Sequence, residues 1–411
     1  MQRLTLRRIR IRGFKSLAEL DLDFPDDLLI LIGANGAGKT TVLQALAFIP
    51  YFTKGQPEAF FADRGWKPAD LRSRVKTGLG QGTISYRLFL EGDDGLKVFW
   101  HFNYNLLSEK TVFEKLWLLP PGRAAPEAVI EFSQKGLFVG AEKTLAIAPD
   151  GSVLSIVLDE ALAGEVGEAV RRLRSWGSGI FSLELLNPDA MRRGARGNPS
   201  DIGPRGERLA GFLASLPSAR KARLVERLTP YFRLQGLETT RRRAGWIDMR
   251  IAESFEDFGW MGVAHMSDGF MRLLGLAAIP EFGPSASMVL LDEVENGIEP
   301  HILPDFISMI ARESNVQLVL TSHSPSLVNQ FEPGQIGFLA RRPDGAAVAA
   351  PFSSLEPLVN GLRYLGAGEV WTITDMNRIN EMVVEASHNG PRGSNPPTGA
   401  AEVMAFMGLG T

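Results

Sequence analysis

Gly33-Ala34-Asn35-Gly36-Ala37-Gly38-Lys39-Thr40 is the segment of this 411-residue chain with the most chemistry in it. Its glycines let the backbone turn N–H groups inward, toward a phosphate. A helix entered at Thr40 and Thr41 adds the partial positive charge of its N-terminus. Lys39 then reaches the β- and γ-phosphates of a nucleoside triphosphate, and the Thr40 hydroxyl ligates Mg2+. A glycine-rich turn with an incidental lysine has the same composition. The context separates the two: the apolar run from Leu28 to Ile32 predicts a strand before the loop, and Thr40 to Phe48 a helix after it.

Three further segments carry candidate groups. Met288-Val289-Leu290-Leu291-Asp292-Glu293 reads as a buried strand ending in two acids. In a parallel sheet the ligand crevice lies at the carboxyl ends of the strands. There Asp292 holds Mg2+, directly or through water, and Glu293 orients or deprotonates an attacking water. Val316 to Thr321 is another strand, followed by Ser322-His323-Ser324-Pro325, where His323 either reaches a γ-phosphate or satisfies a turn. Met266-Ser267-Asp268-Gly269-Phe270 enters a helix, so Ser267 is an N-cap or, with Gly269, part of an anion site.

These segments need elements to hold them. Residues 4–12 and 17–24 alternate as paired strands joined at Gly13, and residues 83–118 read as a β-meander. The alternation of Arg8, Arg10 and Arg12 with Ile9 and Ile11 argues for a strand over an arginine-rich transit peptide. Residues 151–244 read as mainly helical. From Met288 onward strand, helix and strand alternate, which implies a parallel sheet. The expected division is 1–150, an ATPase lobe with the phosphate loop and meander; 151–244, a basic helical insertion; 245–355, a second lobe with the acidic and histidine motifs; and 356–411, an extension that is turn-rich after 386.

Composition bounds the rest. Hydrophobic residues make up 45% and charged residues 22%, enough for a packed core. There is no cysteine, which removes disulfides, thiolate metal sites and cysteine nucleophiles, and fits a reducing, cytoplasmic compartment. No apolar run approaches the roughly 20 residues that cross a bilayer. Net charge is −3, yet residues 192–243 hold 13 Lys or Arg against 4 Asp or Glu. Arg220, Lys221, Arg223, Arg241, Arg242 and Arg243 are therefore candidate contacts for an anionic partner, the alternative being a solvated helical face.

Together, and in this order, the four segments resemble the ABC-type ATPase heads of the SMC, RecF and OLD class. The likeness is nearest to the compact AAA_21/AAA_15-type bacterial ATPases of genome maintenance and anti-phage defence. Ile11-Arg12-Gly13-Phe14-Lys15-Ser16-Leu17 resembles the class's opening strand and turn. Ser267-Asp268-Gly269 stands at the signature, Asp292 to Pro300 at the acidic motif and following loop, Thr321 to Pro325 at the histidine switch, and Asn187 to Arg192 at a recurring segment. Val294 stands where the class usually has proline, and Glu299 where it often has histidine.

The resemblance implies an α/β fold: a P-loop head with a mixed or parallel sheet, an antiparallel meander and a helical insertion. It implies ATP and Mg2+, and two copies that sandwich two ATP molecules. Each site would take Lys39, Thr40, Asp292, Glu293 and His323 from one chain, and Ser267, Asp268 and Gly269 from the other. Lys15 would lie near the nucleotide. Gln81 is the candidate for the Mg2+-sensing glutamine.

The segment between the first and last motifs has many glycines and prolines and no sustained heptads, so long coiled-coil arms are not expected. The acids after His323 lack a DxD spacing, so a Toprim nuclease is not expected either. An ATPase without its own effector points to a nucleotide-gated scaffold for a separate effector, such as a nuclease, in bacterial defence. The alternative is a DNA-binding ATPase of repair or maintenance.

Overall fold

The computed structural model describes residues 3–140, 142–145, 148–157, 162, 164–183, 186–255, 259–387 and 400–407. The chain opens with β1 (Leu4–Phe14) and β2 (Leu17–Asp23), an antiparallel pair in which Arg10 faces Asp21. Next come β3 (Leu28–Gly33), α1 (Lys39–Thr53) and α2 (Pro57–Arg64). The meander follows as β4 (Thr83–Gly92), β5 (Lys97–Asn105) and β6 (Lys110–Leu119). It continues through β7 (Glu127–Ser133), β8 (Gly136–Val139) and β9 (Glu142–Leu145). The first sheet is wholly antiparallel, in the order β2-β1-β4-β5-β6-β7-β8-β9.

Residues 151–244 are less helical than the sequence predicts. They hold α3 (Gly164–Ser178), α4 (Pro188–Met191), α5 (Leu209–Ser215) and α6 (Ser218–Leu228), but also β10 (Ile180–Ser182), β11 (Ala195–Arg196) and β12 (Leu234–Arg241). β12 pairs with β13 (Trp246–Glu253), which also carries β11 and β14 (Trp260–Gly262) on its other edge. β12 escapes a pattern search because Leu-Gln-Gly-Leu-Glu-Thr-Thr-Arg holds only two apolar residues, three apart.

The chain then runs through α7 (Asp268–Ala277), β15 (Met288–Leu291), α8 (Leu303–Glu313), β16 (Gln317–Thr321), α9 (Pro325–Val328), β17 (Ile336–Arg341) and β18 (Ala347–Pro351). It closes with α10 (Glu356–Gly361), α11 (Ala367–Ile373), α12 (Met376–Ser387) and α13 (Ala400–Phe406). Most of the stretch read as turn-rich after 386 lies outside the described residues. The exceptions are the end of α12 and residues 400–407, of which Ala400–Phe406 form α13 rather than turns.

The second sheet has the order β10-β15-β16-β3-β17-β18, parallel except for β18. It draws β3 from the first stretch of sequence and β10 from the insertion. The four-part division above therefore cuts across it in space. The sheet is buried on both faces: Leu29, Leu31 and Leu290 belong to the cluster shared with α1 and the first sheet, Ile30, Ile32 and Leu291 to the cluster on the other side. This is why its strands read as continuous apolar runs. Gln317, 1% exposed, ties the two sheets by binding Leu6 N–H, Leu6 C=O and Pro25 C=O.

The basic insertion needs a correction. Arg220 and Arg223 are not free cations awaiting a partner: although one third and one half exposed, they converge with Arg227 on Glu281, which is 1% exposed. Lys221 donates to the Thr239 hydroxyl at 3.2 Å. The cations of α6 thus anchor the helix to the turn after α7. Burial raises the Glu281 carboxyl pKa, but hydrogen bonds from Arg223, Arg220 and Arg227 outweigh it and hold the pKa below its usual value. Arg220 and Arg223 are partly solvated and Arg227 keeps Glu313, so weakening their shared acceptor costs about 1–3 kcal/mol. Glu281→Gln is therefore expected to lower unfolding stability by about that amount in urea melts at neutral pH. Because the native pKa is depressed, the wild-type advantage narrows as pH falls through it. An unchanged midpoint at neutral pH would refute the anchoring role.

Candidate nucleotide site

β15, β16 and β3 lie side by side and in parallel, with Leu291 beside Leu320 and Thr321 beside Leu31. Three of the motifs picked out in the sequence thereby meet at one edge of the sheet, the carboxyl ends of its strands. Gly33 ends β3 at φ 142, and a side chain there would sit 2.3 Å from the Leu339 carbonyl. Gly38 takes φ 113 as the N-cap of α1, a conformation glycine alone adopts at low cost. Ala34, Asn35, Gly36 and Ala37 form the turn between them, and Arg341 donates to the Gly36 carbonyl at 2.8 Å.

Lys39 is 6% exposed and folds back on its own loop, donating to the Gly33 and Ala34 carbonyls at 2.9 and 3.2 Å. Burial lowers its pKa, and Asp292, Glu293 and Glu295 oppose that shift. The Thr40 hydroxyl donates to Asp292 at 2.9 Å. The second Asp292 oxygen accepts from the Thr321 hydroxyl, which in turn accepts from the Glu293 N–H at 2.7 Å. Glu293 holds φ 44, a left-handed conformation costly for a residue other than glycine, and its carboxylate accepts from Asn296 at 2.6 Å. The His323 side chain is exposed, and its backbone N–H donates to Glu295 at 2.5 Å. Thr41 follows Thr40 in the first turn of α1.

Lys15 also has positive φ, 48. Its ammonium donates to Gln44 on α1 at 2.8 Å and lies 3.6 Å from the centre of the Trp66 ring. The next residue, Ser16, sits against Gly38, so the β1–β2 turn lies beside the phosphate loop. Ser267 caps α7 through Phe270 N–H at 3.2 Å and is exposed, as is Asp268. Gly269 packs on the loop after the acidic pair: a side chain there would lie 2.7 Å from the Gly297 carbonyl. Arg192 binds Asp189, Asp268 and the Met266 carbonyl, so the Asn187–Arg192 segment braces the turn that carries Ser267. Val294 is buried and Glu299 pairs with His301 at 3.3 Å.

Gln81 stands just before β4, and its backbone carbonyl accepts from Asn105 on the meander. Arg241 donates to Asn198 and Arg242 pairs with Asp248, at the tip of the β12–β13 hairpin with Arg243. Sequence reasoning placed Thr321 and Glu295 inside the motifs without giving either a role, and it missed Arg341. A threonine at a strand end carries no signal, although its position one residue before Ser322-His323 was visible.

The donor set fits MgATP. A hydroxyl and a carboxylate already share a hydrogen bond, a buried ammonium rests on weak carbonyl acceptors, and a glycine turn opens a helix N-terminus. Among the described residues no helix is long and apolar enough to cross a membrane.

Residues 165–329 match the family model described as "AAA domain, putative AbiEii toxin, Type IV TA system", and residues 8–122 match a second AAA-domain model. The structure superposes on a crystal structure of an Smc head bound to the C-winged helix domain of ScpA. The TM-score is 0.53 at 15% identity, covering 84% of this chain and 97% of that one. The chain has the fold of an Smc ATPase head. Over 105 residues the chain is 30% identical to the DNA double-strand break repair Rad50 ATPase of Methanopyrus kandleri. Over 57 residues it is 40% identical to the DNA replication and repair protein RecF of Sodalis glossinidius. These matches take in 23% and 14% of the chain, and only 12% and 14% of the relatives.

Proposed function

We propose that this head binds ATP with Mg2+ and hydrolyses it to ADP and phosphate at a site completed by a second copy, and that the cycle gates a separate effector in bacterial defence or toxin control. The observation that carries the chemistry is the Thr321 hydroxyl, which binds Asp292 and the Glu293 backbone together. It joins the motif after β15 to the strand that delivers His323.

In this reading Lys39 leaves the Gly33 and Ala34 carbonyls for phosphate oxygens. Thr40 and Asp292 hold Mg2+, which when bound offsets phosphate charge. Glu293 takes a proton from the attacking water, and His323 faces the γ-phosphate. Lys15, beside the loop, lies along the nucleotide. Ser267, Asp268 and Gly269 of one copy meet the γ-phosphate held by the other, so ADP does not hold the pair together.

The AbiEii-type description of the matching family supports the defence reading. The Rad50 and RecF relatives support the second one, a DNA-bound ATPase. There Arg241, Arg242 and Arg243, with Trp246 exposed at the same hairpin tip, would contact phosphates and bases.

The deciding experiment measures ATP turnover with and without double-stranded DNA, while light scattering reads mass. Slow turnover indifferent to DNA supports the scaffold; DNA-stimulated turnover supports the repair ATPase. Ser267→Arg tests the shared site. It is expected to bind ATP with unchanged affinity as a monomer and to lose the ATP-induced dimer. Normal dimerisation of that variant sinks the two-copy site.

A further inference from the structure

Glu281 does not neutralise all the positive charge of the insertion. In the small sheet of β11, β12, β13 and β14, the side chains of Ile247, Met249 and Ile251 belong to the core. Alternation along β13 sends Trp246, Asp248 and Arg250 to the other face. Where the β12–β13 hairpin ends, there is an open recess of about 710 Å³. It is lined by Gly194, Arg241, Arg242, Arg243, Trp246 and Asp248. Its walls are fixed by the fold. The Arg242 N–H donates to the Trp246 carbonyl at 2.6 Å and closes the hairpin. The Arg241 guanidinium donates to Asn198 at 2.9 Å, which ties the tip to the segment after β11. Gly194 lines the recess without a side chain: one there would lie 2.7 Å from the Asp248 carboxylate and 3.5 Å from the Trp246 ring. Register sets Arg196 opposite Trp246, and its guanidinium lies 4.6 Å from the centre of that ring.

Charge and exposure together select an occupant. Arg196, Arg241, Arg242, Arg243 and Trp246 are all exposed, Trp246 by 45%. The one acid of the recess, Asp248, is paired with Arg242. Arg196, Arg241 and Arg243 pair with no acid among the described residues. Three exposed guanidinium groups beside a half-exposed indole match an anion that also carries flat rings. Phosphates suit the arginines, and bases suit the indole and the guanidinium planes. In a duplex the bases already stack on one another, so a ring set in a recess meets only an unpaired base. An acidic peptide would answer the charge and leave the indole unused.

We propose that this recess binds single-stranded nucleic acid, with one unpaired base stacked on Trp246 and the flanking phosphates on Arg196, Arg241 and Arg243. Binding here rests on the nucleic-acid contact of the second reading above and narrows it from DNA in general to an unpaired strand. All six lining residues come from one chain, so the recess is complete without a second copy.

The test is fluorescence anisotropy of the full chain with a fluorescein-labelled oligothymidylate about twelve nucleotides long, and with a duplex of the same length, at low salt. The single strand is expected to bind about tenfold tighter than the duplex, or more. Trp246→Ala is expected to weaken single-strand binding by about tenfold, and Trp246→Phe to keep most of it, since a phenyl ring still stacks. Arg243→Ala is expected to lower the slope of log affinity against log salt by about one. Oligouridylate in the same titration separates the sources: tighter binding than oligothymidylate assigns the strand to RNA, weaker binding to DNA. Equal affinity for strand and duplex overturns the proposal and leaves the second reading standing. Binding of neither overturns both. Unchanged affinity of Trp246→Ala overturns base stacking, as does displacement of the strand by polyglutamate at equal charge.

Discussion

Lys39→Ala is expected to raise the dissociation constant for ATP at least about a hundredfold. The ammonium would make two charge-assisted hydrogen bonds to phosphate, each contributing about 1.5–3 kcal/mol, and about 1.4 kcal/mol is tenfold in affinity. The lost bonds to Gly33 and Ala34 do not offset this, since they exist without nucleotide and their removal frees carbonyls rather than stranding a charge. Titration with a fluorescent ATP analogue measures the loss. Circular dichroism checks that α1 persists, as its N-cap Gly38 is untouched. Retained tight binding removes Lys39 from the phosphate site.

Glu293→Gln separates binding from chemistry. General acid–base catalysis contributes about 10²–10⁴-fold, so turnover is expected to fall by that factor while the ATP dissociation constant stays within about threefold. Glutamine keeps the shape that sits at φ 44 and the hydrogen bond with Asn296, but cannot accept a proton. ATP that is bound and not consumed should then accumulate the dimer, visible as doubled mass in light scattering with ATP and not with ADP. Unchanged turnover assigns the base elsewhere.

Much of the site is legible in the sequence because its signals are local. The phosphate loop is contiguous, and each acid or histidine follows an apolar run that only a doubly buried strand explains. What escapes is set by distance along the chain. Arg220 and Arg223 look like unpaired surface cations until Glu281 arrives from another turn. Thr321 looks like an ordinary strand end until β15 lies beside it. α13 follows prolines and glycines, and its i, i+3, i+4 triad is too brief to register as a periodic helix. β12, rich in Glu, Thr and Arg, carries no alternation and is a strand only because β13 pairs with it.

The place of β3 in its sheet has a consequence in time. Leu28 pairs with Leu318, and on the other edge Ile30 pairs with Ile336. The strand that launches the phosphate loop is made long before either of its neighbours. At about 5–20 residues per second of synthesis, β3 spends many seconds as an apolar segment with no strand beside it. Loop closure over such separations is also slow to begin. The antiparallel sheet, whose strands mostly follow one another in sequence, can form during that wait and shelter α1 against its inner face. The interval before β16 emerges is therefore when a chaperone has most to do.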